Sequence, residues 1–131
     1  MIVVDASVLA TALADDGADG DLVRNRMRGE RLVAPELVDL EVLSTFRRAA
    51  RGGRLDERRS GQALEDLAAL PLRRMSHLPL VSRIWELRDN LTAYDASYVA
   101  LAEMLDCPLL TADGGIGKAS GVRCVVEVLP Y

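Results

Sequence analysis

The chain has 131 residues, of which 50% are hydrophobic and 27% are charged, and its formal net charge is −4. These values are typical of one globular domain, and they exclude a disordered chain, a fibre and a protein that coats nucleic acid through an overall positive charge. No apolar run approaches the roughly 20 residues that cross a bilayer, so we expect no signal peptide, no membrane anchor and a cytoplasmic location.

Short apolar segments alternate with helical ones along the whole chain. We predict strands at residues 2–4, 32–34, 71–75, 108–110 and 122–128, the third of them at an edge of the sheet. Helices are predicted to begin near Ser7 and Asp19, with Pro35 as the first residue of a third, and to cover residues 56–70, 79–89 and 93–105. Apolar strands separated by helices predict an α/β fold: a single α/β/α sandwich over residues 1–131, with a mostly parallel central sheet of about five strands.

The periodicity of the helical segments also predicts which side chains pack inside. The segment 93–105 is apolar nearly all round, so we expect it to be deeply buried. Trp85, Tyr94 and Tyr98 are expected to be mainly packing residues. In the two helices on either side of Gly52-Gly53, the expected core-facing side chains are Leu37, Leu40, Leu43, Phe46, Leu64, Leu67 and Ala68.

The few histidines and cysteines exclude several kinds of chemistry. His77 is the only histidine, so catalysis by a pair of histidines is impossible, and any Ser-His-Asp or Cys-His arrangement would depend on this one residue. Cys107 and Cys124 make neither a disulfide scaffold nor, with one histidine, a structural zinc site. We expect both cysteines to be reduced and packed in the core, and any catalysis to use carboxylates.

Polar side chains follow two of the predicted strands. Asp5 comes directly after the strand at 2–4, with Ser7 two residues further on, and Thr111 and Asp113 follow the strand at 108–110. In an open parallel sheet, ligands bind beyond the carboxyl ends of the strands, near the point where the strand order reverses. These four side chains are therefore candidates for one site.

Two helices add further carboxylates, Glu41 and Asp95. Local roles remain open for all four acids: Asp5 as a helix cap, Asp113 at a turn, Asp95 beside a helix dipole and Glu41 at a solvated helix edge. If the four converge, like charges repel unless a cation lies among them. Oxygen ligands alone select Mg²⁺ or Mn²⁺, an ion suited to phosphodiester hydrolysis.

Six arginines fall within the 13 residues from 47 to 59, which gives a basic patch on an acidic protein. The composition leaves two interpretations open, a solvated helical corner or a surface that contacts phosphates. The members of this patch are Arg47, Arg48, Arg51, Arg54, Arg58 and Arg59.

Four segments of the chain read, in order, VVDASVL, PELVDLEVLSTFRR, LTAYDASYVALAE and LLTADGG. Together they resemble the PIN-domain ribonucleases, and among them the VapC toxins of bacterial toxin–antitoxin pairs. With the chain length and the helix order, the likeness covers essentially all of residues 1–131. It implies a metal-dependent endoribonuclease that uses Mg²⁺ or Mn²⁺, forms a homodimer and is inhibited by a cognate VapB-type antitoxin.

The resemblance also implies roles for particular residues. Many relatives carry another acid or amide two or three residues after the aspartate matched by Asp113, where this chain has Gly115 and Ile116; this difference fits one tightly held ion. Asp39, two residues before Glu41, competes with it as the helical acid, and Glu41 matches the family position. The implied metal ligands and catalytic residues are Asp5, Glu41, Asp95 and Asp113, the supporting hydroxyls are Ser7 and Thr111, and the contacts to RNA or to the antitoxin are Arg47, Arg48, Arg51 and Arg54.

Two alternative functions remain open. A phospho-accepting receiver-like signalling domain also places aspartates and Mg²⁺ at strand ends, but it needs an aspartate after the third strand and a lysine after the fifth. The only lysine here, Lys118, precedes the last strand. The second alternative is a catalytically idle PIN domain that serves as a binding module, which the intact set of four acids disfavours.

Overall fold

The protein is a five-stranded parallel sheet with helices on both sides, and the computed structural model describes residues 1–131. The strands are β1 (Ile2–Val4), β2 (Leu32–Pro35), β3 (Leu72–Met75), β4 (Leu109–Thr111) and β5 (Val126–Val128). The helices are α1 (Ala6–Ala14), α2 (Ala18–Met27), α3 (Val38–Arg51), α4 (Glu57–Ala69), α5 (Val81–Glu86), α6 (Ala93–Leu105) and α7 (Gly114–Lys118), with a 3₁₀ turn at Leu78–Leu80.

The strand order is β3-β2-β1-β4-β5, and every neighbouring pair is parallel. The chain moves outward from β1 through β2 to β3, and then returns to the other side of β1 to form β4. The order therefore reverses between β1 and β4, where Val3 pairs with Leu109. Ligands of such sheets bind in the crevice beyond the carboxyl ends of these two strands. The predicted fold class and the edge position of β3 are confirmed.

The core forms around the central strands and α6. Ile2, Val3 and Val4 of β1 are fully buried, as are Leu109 and Leu110 of β4, because helices cover both faces of the sheet. Residues Ala96–Ala102 of α6 are all buried, which confirms the deep packing predicted for that helix.

Pro35 ends β2 and is not the first residue of α3, so that prediction is wrong. The N–H of Glu36 points toward β3, where it donates to the carbonyl of Met75. At Pro35 the backbone nitrogen faces the opposite side, where β1 has already ended, since β1 pairs with β2 only at Leu32 and Val33. Because no ladder bond is available there, the missing N–H of proline costs little.

The buried face of α3 also differs from the prediction. Val38, Val42 and Phe46 are buried, whereas Leu40 and Leu43 are 69% and 39% exposed. The helix begins at Val38, and a stripe at positions i, i+4 and i+8 from this residue faces the core. The buried face of α4 differs from the prediction in part. Leu67 is buried as expected, together with Ala63, whereas Leu64 and Ala68 are exposed.

Two aromatic residues predicted to pack inside lie on the surface. Trp85 is 66% exposed, because the short α5 has no buried residue of its own, and the guanidinium of Arg88 lies 4.6 Å from the centre of its ring. Tyr94 is 63% exposed at the start of α6, while Tyr98, one turn later, is buried as predicted.

The last predicted strand is shorter than expected, since only Val126–Val128 of the segment 122–128 pairs in the sheet. Cys107 and Cys124 are free, half-buried thiols packed against the core, as predicted. None of the helices has both the length and the apolar character needed to cross a membrane.

Candidate active site

Asp5 lies where β1 ends and α1 begins, and it has no unpaired carboxylate oxygen. Its Oδ1 accepts from the backbone N–H of Val8 at 3.0 Å, which caps α1, and from the hydroxyl of Ser7 at 2.6 Å. Its Oδ2 accepts from the hydroxyl of Thr111 at the end of β4. Burial raises the pKa of Asp5, and these hydrogen bonds oppose that rise. The predicted helix-capping role is therefore present, but it uses only part of the carboxylate.

Thr111 and Asp113 connect β4 to the same site. Thr111 is fully buried; its hydroxyl donates to Asp5 and accepts from the backbone N–H of Asp113 at 2.9 Å. Asp113 is exposed and caps α7, since its Oδ1 accepts from the N–H of Gly115 at 2.8 Å. One buried hydroxyl thus fixes the loops after both central strands relative to each other.

Glu41 is held by a residue that sequence analysis assigned only to packing. The hydroxyl of Tyr98 in α6 donates to Oε1 of Glu41 in α3 at 2.6 Å. Tyr98 is 1% exposed, and burial together with the adjacent Glu41 raises its pKa far above the ordinary value. The phenol therefore remains a neutral donor throughout the physiological pH range.

The charges of the other three carboxylates affect the pKa of Asp95. Asp95 lies in the first turn of α6, where its backbone N–H donates to the Thr92 hydroxyl at 3.1 Å. Burial raises the pKa of Asp95, and the charges of Asp113, Glu41 and Asp5 raise it further, in that order. All four acids are therefore close enough to interact.

One open cavity of about 1000 Å³ joins these groups, lined by Asp5, Ser7, Glu41, Asp95 and Asp113. Thr111 does not line it and reaches it only through Asp5. No three side chains among the histidines, cysteines, aspartates and glutamates are arranged so that they could hold a metal ion as they stand. The side chains in this cavity that could ligate a metal ion all do so through oxygen, the ligand atom that Mg²⁺ and Mn²⁺ prefer.

Asp39, the competing acid on α3, lies outside this cavity. Its carboxylate forms a two-pronged ion pair with the guanidinium of Arg74 on β3, with N–O distances of 2.9 Å and 2.8 Å. Asp39 therefore stabilises the packing of α3 against the edge of the sheet.

The four arginines of the predicted contact surface fall into two groups. Arg48 and Arg54 line the cavity, and Nη2 of Arg48 donates to the Thr45 hydroxyl at 3.3 Å. Arg47 and Arg51 are exposed on α3 and do not line it. Asp5 and Asp113 thus lie at the strand ends of the cavity, and Asp15, Arg48 and Arg54 lie near the carboxyl ends of α1 and α3.

Comparison with known proteins defines the class of this fold and site. The sequence profile of the PIN domain matches residues 2–122, and the chain belongs to the PIN-domain family. Ribonuclease VapC9 of Mycobacterium tuberculosis is 45% identical to it over 130 residues, which cover 99% of both chains. The chain is therefore a VapC-type member of that family. This membership, and the position of Met75 rather than an aspartate at the end of β3, remove the receiver-like alternative.

Two solved structures share the fold at low sequence identity. The crystal structure of Mycobacterium tuberculosis VapC20, a sarcin-ricin loop cleaving toxin, has a TM-score of 0.71 and 16% identity over 95% of this chain and 98% of that one. VapBC2 from Rickettsia felis, bound to a DNA fragment from its promoter, has a TM-score of 0.64 and 12% identity, and the match covers 98% of both chains. At these identities the likeness shows the architecture.

Proposed function

We propose that this protein is a divalent-metal-dependent endoribonuclease and the toxin of a type II toxin–antitoxin pair. The observation that carries the proposal is the convergence of Asp5, Glu41, Asp95 and Asp113 in one cavity at the crevice between β1 and β4. These acids come from four separate segments, so their local capping roles do not explain why they meet. The ribonuclease name of its 45% identical relative supports the same reaction class.

The proposed cofactor is Mg²⁺ or Mn²⁺. Mg²⁺ is usually bound through one or two carboxylates and keeps several waters, so it does not need a preformed set of three protein ligands. Burial is the main cause of the raised pKa of Asp95, and the neighbouring carboxylates add a repulsion that a cation would relieve. Asp5, Glu41, Asp95 and Asp113 would hold the ion, which supplies charge neutralisation at a phosphate and a lowered pKa for a bound water.

The chain's own residues would orient this site and bind the substrate. Ser7 and Thr111 fix both oxygens of the Asp5 carboxylate, and Tyr98 fixes the Glu41 carboxylate. Arg48 and Arg54 supply positive charge for the phosphates of an RNA strand in the cavity. Arg47 and Arg51 remain predicted contacts for RNA or for an acidic segment of the antitoxin.

A VapB-type antitoxin and a second copy of the chain are the proposed protein partners. The existence of a VapBC2 complex with the same architecture supports the first. A cytoplasmic location would follow from the function itself, since the RNA substrate and the antitoxin are made there.

Cleavage of single-stranded RNA by the purified protein tests the proposal. We expect cleavage with Mg²⁺ or Mn²⁺, loss of cleavage in EDTA, and a loss of at least 100-fold in Asp95→Asn. Asp89→Asn, a change at an exposed aspartate outside the cavity, should cleave like the wild type. A folded wild-type protein that cleaves no RNA would support the idle binding module instead.

A further inference from the structure

A second cavity, of about 620 Å³, continues from the arginine end of the acidic cavity. The two cavities share Ala14, Arg54 and Leu55 in their walls. The second is mainly polar, and its charged members are Arg54, Arg58, Arg59, Asp16 and Asp56.

The charges in this second cavity leave two arginines free. The guanidinium of Arg59 is paired with Asp16, with N–O distances of 2.9 Å. The carboxylate of Asp56 caps α4 by accepting from the Arg59 backbone N–H at 2.7 Å. Arg54 and Arg58 form no ion pair, and both side chains are exposed. With three arginines and two aspartates in its walls, the cavity retains one net positive charge.

Arg59 also carries an unsatisfied hydrogen-bond donor. Its Nη2 donates to the carbonyl of Leu13 at 2.7 Å, whereas its Nη1 is buried and has no partner. It is the only buried side-chain nitrogen or oxygen in the protein without one. Because Nη1 is shielded from solvent, Arg59 serves as part of the cavity wall, and the exposed guanidinium groups of the cavity are those of Arg54 and Arg58.

The second cavity lies at a defined distance from the carboxylates. The wall of the acidic cavity follows α1 from Ser7, beside Asp5, to Ala14, which also lines the second cavity. At 1.5 Å per residue this path is about 10 Å, the length of a few nucleotides of a single strand.

We propose that this second cavity binds a backbone phosphate of the RNA substrate, two or three linkages from the bond that is cut. Arg54 and Arg58 bind the phosphate oxygens, and Arg59, held by Asp16, forms part of the wall. Guanidinium groups bind phosphates through paired N–H donors, and single-stranded RNA places such phosphates at regular intervals. The inference rests on the proposed ribonuclease function, because the cavity is continuous with the site where the RNA would be cleaved.

The test combines arginine variants with RNAs that carry one uncharged linkage. The wild-type cleavage position is mapped first, and one methylphosphonate then replaces the phosphate at each of the three linkages on either side. We expect one position, two or three linkages away, at which the substitution lowers kcat/KM on the order of tenfold for the wild type. At that position it should have little effect on the Arg54→Ala/Arg58→Ala double variant, because the contact has already been lost.

A matched control and a salt titration complete the test. Arg31→Ala changes an exposed arginine directly before β2, at the amino ends of the strands and outside both cavities, and should respond to each modified RNA like the wild type. For each phosphate contact that is lost, the slope of log kcat/KM against log salt should fall by about 0.7. If the double variant cleaves all RNAs like the wild type, or loses only antitoxin binding, the inference is wrong. If the wild type cleaves no RNA, the proposed function itself fails.

Discussion

The Tyr98 hydroxyl donates a 2.6 Å hydrogen bond to Oε1 of Glu41 and so joins α6 to α3 at the acidic cavity. The phenol is buried, and its raised pKa keeps it protonated, so it acts as a donor and not as an acid–base group near neutral pH. We infer that Tyr98 is a positioning residue for Glu41.

Replacing Tyr98 with phenylalanine tests this role. The loss of one hydrogen bond to a charged acceptor should lower the free energy of unfolding by about 1.5–3 kcal/mol and kcat by about tenfold. The pH dependence of kcat should keep its shape, since Tyr98 does not titrate. Trp85→Phe, at an exposed aromatic residue outside the acidic cavity, is the control and should change both quantities little. Wild-type kcat in Tyr98→Phe would contradict the positioning role.

The buried hydroxyl of Thr111 gives a second prediction. Thr111→Val keeps the volume but leaves Oδ2 of Asp5 and the N–H of Asp113 without their partner. We expect a loss of about 1–3 kcal/mol in unfolding free energy and a marked fall in cleavage, measured by chemical denaturation and RNA assay. Thr111→Ser keeps the hydroxyl and should recover most of the cleavage rate. Equal rates in the valine and serine variants would show that the hydroxyl does not orient the site.

Protonation of Asp95 should contribute stability to the metal-free protein as the pH is lowered from neutral through its raised pKa. A carboxyl group with a raised pKa in the folded state binds its proton more tightly there than in the unfolded chain. Its contribution to stability is therefore largest at acidic pH, and it is lost as the pH rises from the ordinary value of 3.8 through the raised one.

Asp95→Asn removes the half-buried charge and its repulsion by Asp113, Glu41 and Asp5. We expect the unfolding free energy of the metal-free variant to exceed that of the wild type by about 0.5–1 kcal/mol at pH 7, with the difference shrinking toward pH 4. Denaturant titrations in EDTA at several pH values measure it. A difference that grows as the pH falls would have the wrong sign for this cause.

Two glycines with different surroundings give a prediction about the scaffold. A Cβ at Gly20 would lie 1.9 Å from the carbonyl oxygen of Asp15, so α2 could not keep its present position against α1. Gly20→Ala should therefore lower the unfolding free energy by about 1–3 kcal/mol or more. A Cβ at Gly61, inside α4, would meet nothing within 4 Å. Gly61→Ala should raise stability by about 0.5–1 kcal/mol, and thermal unfolding of the pair measures the contrast.

The sequence predicted the parts of the fold that depend on local pattern. The apolar run at residues 2–4 and the almost wholly apolar helix at 93–105 define the buried layer, and polar residues after β1 and β4 mark the crevice. That Asp5 and Asp113 line one cavity followed from the rule for parallel sheets.

Features that depend on tertiary contacts could not be predicted in this way. The bond between Tyr98 and Glu41 joins residues 57 positions apart, and nothing in the local pattern distinguishes a packing tyrosine from a donor. The buried face of α3 depends on its start at Val38, which in turn depends on the pairing of Pro35 with Met75 in β3. Trp85 is exposed because α5 is only 6 residues long, a length that periodicity does not reveal.

The most direct test of the central claim, that the four converging carboxylates bind a divalent cation, is the thermal unfolding of the protein as Mn²⁺ is added. An ion that binds only the folded state raises stability by about 1.4 kcal/mol for each tenfold increase above its Kd. We expect Tm to rise with Mn²⁺ in the wild type and in Asp89→Asn, and to stay nearly constant in Asp95→Asn. A wild-type Tm that does not respond to millimolar Mn²⁺, or an equal rise in Asp95→Asn, would contradict the claim.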